Sequence, residues 1–138
     1  MIICGVIHTL FVVAVLFADL SPDVYKDLQQ KAPEALAIRV VAVHVHRSFS
    51  KPSYCAWHDF EVARRVNAEA VVQRVFRSQS GVHVGDVIKI EYLTIRHCSE
   101  YNGPRSAALL DEDDHVTAYL KRSGNVFFAA ARGATFVR

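Results

Sequence analysis

Two short pieces of the chain carry side chains able to do chemistry: Cys55-Ala56-Trp57-His58 and His97-Cys98. Two thiolates and two imidazoles can complete the tetrahedral sphere of one zinc ion, and His44 and His46 share a strand face close to the first pair. Neighbouring residues on a regular strand point to opposite sides, however, so His97 and Cys98 cannot both turn to one ion. A thiol beside an imidazole is also the raw material of a nucleophile. Catalysis would need a lowered thiol pKa and an orienting third group, and only Asp59 and Glu100 stand nearby in sequence. Neither pair sits in an established ligand or nucleophile motif. The expectation is therefore a non-enzymatic protein with no cofactor, no catalytic residue and no metal. A metal-binding or thiol-redox protein using Cys55, His58, His97 and Cys98 is the alternative.

Which chemistry the cysteines can do depends on the compartment. Residues 1–18 contain no Asp, Glu, Lys or Arg, and residues 6–17 are apolar apart from His8 and Thr9. That is the pattern of a signal peptide, with a cut after Ala18 leaving Asp19 as the new N-terminus. No basic residue precedes the apolar run, so a retained short anchor or a buried helix is the other reading. Export predicts a secreted or periplasmic protein, free of the membrane once cleaved. Cys4 would leave with the signal, and Cys55 and Cys98 would remain in an oxidising setting. A disulfide between them would close a loop of about 43 residues and contribute on the order of 4 kcal/mol; two free thiols are the alternative.

The same two regions hold Phe49, Tyr54, Trp57 and Tyr101. Exposed together, these aromatics would form a partner-binding rim; packed inward, they would plug the end of a barrel. The acidic run at residues 111–114 lacks the spacing of a calcium loop and reads as a solvated turn. The 16 basic and 14 acidic residues are spread over both halves, for a formal charge of +2. No Lys/Arg run could track phosphates, so nucleic acid is not an expected partner. The expected partner is an unidentified protein, and the expected state is a monomer.

The elements that must position these residues follow from periodicity. With 138 residues, 51% of them apolar, the chain has room for one domain with a real core. Ser21-Pro22-Asp23 starts a short amphipathic helix, with Ser21 as cap, that ends before Pro33, and residues 19–35 form a helical strap. Residues 36–47 read as a long strand that switches which side it buries, followed by a loop from Phe49 to Asp59. Residues 60–77 alternate Val66, Ala68, Ala70, Val72 and, past Arg74, Phe76 on one face. Ser80-Gly81 and Gly85-Asp86 supply the turn chemistry of a reversal into a third strand over residues 87–95. Strands at residues 115–121 and 126–131 flank the hairpin signal Arg122-Ser123-Gly124-Asn125. Five strands with an insertion between the third and fourth predict a mainly β protein, a five-stranded Greek-key barrel of the OB type over residues 36–138.

The run from Ala68 through Val75, then Ser80-Gly81, Val84-Gly85-Asp86, Ile88-Lys89-Ile90, Cys98, Gly103-Pro104 and Tyr119-Leu120, resembles the netrin-like module shared with tissue inhibitors of metalloproteinases. It is also similar to uncharacterised small exported bacterial proteins of that shape. The resemblance spans residues 38–136. Inhibitors of that family chelate protease zinc through a mature N-terminal cysteine and are rich in disulfides. This chain would begin near Asp19-Leu20 with two cysteines. The resemblance thus implies the fold and an extracytoplasmic setting, and it does not imply the inhibitory apparatus.

Overall fold

The computed structural model describes residues 21–52, 60–96 and 105–138, with side chains described over 21–46, 63–96 and 105–138. Helix α1 (Pro22–Lys31) leads into β1 (Glu34–Pro52), β2 (Phe60–Ser78), β3 (Val87–Arg96), β4 (His115–Ser123), β5 (Val126–Ala129) and a two-residue β6 (Phe136–Val137). A 3-10 turn, Arg132–Ala134, joins the last two. The strands run β1-β2-β3-β5-β4, and residues 34–39 of β1 pair back onto β4, closing a five-stranded barrel. All neighbours are antiparallel except β3 and β5. This is the mainly β, OB-type Greek-key order expected from the strand count.

The barrel interior is filled by alternate residues of each strand. Leu36, Ile38 and Val40 face Val66, Ala68, Ala70 and Val72, with Ile88, Ile90 and Tyr92, Val116, Ala118 and Leu120, and Phe127 completing the ring. Val82 enters from the β2–β3 connection, and Ala107 and Leu110 enter from the β3–β4 crossover. Gly81 and Gly85, at φ 77° and 92°, make the reversal between β2 and β3 in a region where a Cβ is disfavoured.

The long first strand does switch its buried side. Val40 pairs with Ala70 and Ala42 with Glu69, so Val41 is an extra residue. Such a bulge shifts the alternation by one. Val43 then joins the core while His44 and His46 turn out to solvent.

Three expectations are corrected. β1 continues through Phe49 to Pro52, where a loop was expected, because residues 49–52 find partners in residues 60–63 of β2. Phe76 does not join the inner face with Val72, since register shifts pass over Gln73 and Phe76. It lies 52% exposed, with the Arg74 guanidinium 4.9 Å from its ring centre. Ser21 caps α1 with its backbone alone: its carbonyl accepts the Val24 N–H at 3.0 Å, and its side chain makes no capping bond.

Helix α1 buries no residue completely and is fastened by polar contacts. Gln29 Nε2 donates to the Ala134 carbonyl at 2.9 Å. Arg77 donates to the carbonyls of Ala32 (2.9 Å) and Gln29 (2.7 Å), placing a cation at the negative end of the helix dipole. These bonds tie the helix to β2 and to the 3-10 turn.

Candidate functional site

The parallel neighbours β3 and β5 stay paired only from Lys89↔Val126 to Glu91↔Phe128. Beyond that point they part. β3 keeps its partner β2 as far as Arg96, whereas β5 stays with β4 to Ala129 and the chain then turns into the 3-10 segment. The wedge between them is a groove of about 960 Å³, bordered by Leu28 of α1 and by residues 105–107 of the crossover.

Its floor is apolar: Leu28, Leu93, Ile95, Phe128, Ala129 and Ala130 line it. Leu93 and Phe128 are 51% and 40% exposed, which is water-facing apolar surface with a concave shape, the usual character of a binding site. Among the described residues, Arg65, Arg105 and Arg132 line the groove together with one acidic residue, Glu91. Arg65 is opposite Leu93 in the β2–β3 register, and Glu91 is opposite Phe128.

Arg132 reaches the groove from a constrained backbone, at φ 48°, a region in which a long side chain is an outlier and which marks functional positions more often than chance. The turn around it holds this conformation. Ala134 N–H donates to Ala131 O at 2.9 Å, and Thr135 N–H to Arg132 O at 3.0 Å. The fully buried Thr135 accepts the Ala131 N–H at 3.1 Å. Gly133 faces Arg105 so closely that a Cβ there would lie 2.7 Å from the Arg105 Cβ. The turn and the crossover therefore hold two of the arginines in one unit. The Arg105 N–H also donates to the Tyr25 hydroxyl of α1 at 3.2 Å.

Tyr92 forms the inner wall. Its hydroxyl donates to Ala108 O and accepts the Leu110 N–H, each at 3.0 Å, and its ring packs 5.1 Å from that of Phe136. Burial pushes the phenol up to about 12, so it stays neutral at ordinary pH.

The residues singled out from sequence fall elsewhere. Cys55, Tyr54, Trp57, His58, His97, Cys98 and Tyr101 lie outside the described residues, as do the disulfide, the signal segment 1–18 and the alternative metal set. Phe49 is described in its backbone only, paired with Ala63. The segments that carry the others leave from the same end of the sheet, since Pro52 pairs with Phe60 and Arg96 with Val62. Among the described residues no three His, Cys, Asp or Glu side chains converge as a metal site would require. His44 and His46 are exposed on the outer face, opposite Asn67 and Arg65. The groove residues themselves were missed by sequence reading, because Leu28, Arg65, Leu93 and Arg132 come from four separate parts of the chain and share no local pattern.

Compared with known families, characterised proteins and solved structures, the chain matches none.

Proposed function

We propose that the chain is an exported, non-enzymatic binding module of OB type that takes a protein partner at the wedge between β3 and β5. The observation that carries this reading is the pairing of exposed apolar side chains, Leu93 and Phe128, with arginines around one concave surface. Exposed apolar area ringed by arginine is the composition of a protein interface core. A guanidinium offers five N–H donors in a planar fork and no acceptor, which suits these side chains to holding a partner. Export rests on the residues 1–18 pattern, and the netrin-like resemblance agrees with an extracytoplasmic binding role.

A photoreactive amino acid at Leu93, with the same group at Val84 as control, tests the reading in full-length protein exposed to an extracytoplasmic extract. Val84 is exposed and lies outside the groove. Discrete protein adducts from Leu93 and none from Val84 are expected. Equal labelling from both positions, or none from Leu93, would contradict the proposal.

A further inference from the structure

Building on the wedge as a protein-binding surface, we infer that its occupant is an extended acidic segment of the partner, laid along the edge of β3 at Leu93 with carboxylates against Arg65 and Arg132.

The edge comes first. Ile95 donates its N–H to Ser106 Oγ at 2.9 Å, and the Ser106 hydroxyl is 3.4 Å from the Ile95 carbonyl. Both main-chain groups of Ile95 thus turn away from β2, with a serine side chain standing in for a neighbouring strand. Main-chain direction repeats every second residue, so Leu93 turns its N–H and carbonyl the same way. The β3–β5 ladder ends at Glu91↔Phe128, so no β5 residue meets them. Among the described residues nothing is bonded to the Leu93 main chain on that side, and a donor and acceptor so placed on a strand edge are what an added peptide strand pairs with.

The side chains select what is added. Among the described residues, no carboxylate lies within ion-pair distance of Arg65 or Arg132, although exposed acidic groups pair elsewhere, as Asp27 does with Lys31 at 2.8 Å. A guanidinium binds a carboxylate through two parallel N–H donors, which fixes orientation as well as charge. Arg65 neighbours Leu93 across β2–β3, and Arg132 approaches from the opposite bank at its constrained φ. An extended peptide alternates its side chains. Acidic residues on one side would meet the guanidinium groups, with their stems over Leu93 and Phe128 on the same outer face, while apolar residues on the other turn inward to Tyr92 and Ala107. The volume of about 960 Å³ is at the upper end of small-molecule sites and suits a short peptide segment better than an isolated anion.

Calorimetric titration of the full chain with three probes tests the inference: a short capped peptide alternating aspartate and valine, its lysine–valine counterpart, and inorganic phosphate. The acidic peptide is expected to bind, to weaken as salt is raised, and to lose about tenfold or more in affinity in the double variant Arg65→Gln/Arg132→Gln. Both arginines are exposed, so the variant should melt like the parent, and a melting curve checks this. Equal binding of the lysine peptide, no binding of the acidic one, or an unchanged affinity in the double variant overturns the inference. Phosphate competing as well as the peptide also overturns it, in favour of a small-anion site. Protein adducts from Leu93 without acidic-peptide binding would remove the acidic segment and leave the binding reading standing.

Discussion

The Leu110 N–H is bonded to the Tyr92 hydroxyl at 3.0 Å across eighteen residues of sequence, so the β3–β4 crossover is fastened to the barrel wall by one phenol. The same oxygen donates to Ala108 O. Leu110 is buried at 1% exposure, and its amide has no water to turn to if the phenol is lost. The crossover also carries Arg105 and Ser106, so this bond steadies one bank of the groove.

Tyr92→Phe keeps the ring packing on Phe136 and removes only the hydroxyl. A buried amide left without its acceptor costs about 1–3 kcal/mol, and a loss of that size should appear as a lower urea midpoint with an unchanged slope. A fully retained midpoint would mean that the crossover is held by its apolar contacts and the Ser106–Ile95 bonds without the phenol.

The phenol also sets an alkaline limit. Burial pushes its folded pKa up to about 12, above the ordinary phenol value of 10.0, so the folded state holds the proton more tightly than the unfolded chain. The stabilisation is fully present below pH 10 and is lost as pH rises from there toward 12, by about 2–3 kcal/mol in all. Denaturant titrations across that window should show a steeper loss in the parent than in Tyr92→Phe. Identical slopes would assign the alkaline loss to other groups.

At the acid end the sign reverses. Asp114 is held below the ordinary carboxylate value, first by the Asp111 N–H at 2.9 Å and further by Arg138 at 2.9 Å. Its contribution is present above the unfolded pKa and fades as pH falls through the lower folded one. Asp114→Asn should therefore flatten the acid limb of a stability–pH curve. An unchanged limb would show that this turn does not control acid unfolding.

Gly133→Ala tests the coupling between the 3-10 turn and the crossover. The new Cβ would lie 2.7 Å from the Arg105 Cβ and 3.3 Å from the Arg105 carbonyl. Neither is the far end of a flexible side chain, so one segment must move. A stability cost of about 1–3 kcal/mol is expected for such overpacking, together with weaker binding of an acidic peptide. A stable variant that binds like the parent would uncouple the turn from the groove.

The barrel was legible because strand alternation is a local signal. Val66, Ala68, Ala70 and Val72 are buried as their spacing predicts, and so are Ile88, Ile90 and Tyr92. Where the reading failed, the deciding contact was remote. Phe76 left the inner face because bulges at Gln73 and Phe76 answer to the partner strand β1, and no residue type in β2 announces them. Residues 49–52 contain Ser, Lys and Pro and look like a loop until their pairing with β2 is known. Ser21, Pro22 and Asp23 mark the helix start correctly, yet a good capping residue need not use its side chain. The groove lay beyond sequence altogether, since it arises where two strands distant in sequence stop pairing. The cysteine, histidine and aromatic residues drew attention by their chemistry, whereas arginines and leucines at a strand divergence have no motif.

The most direct test of the wedge as the binding surface is a map of backbone amide shifts as the aspartate–valine peptide is titrated into isotopically labelled full-length protein. Leu93 and Ile95, with Phe128 and Arg132 on the opposite bank, should move first and saturate together. Shifts centred instead on Val82, Lys89 and Asn125, at the smaller cavity of about 330 Å³ between the β2–β3 and β4–β5 turns, would contradict the account and move the site to the other end of the barrel.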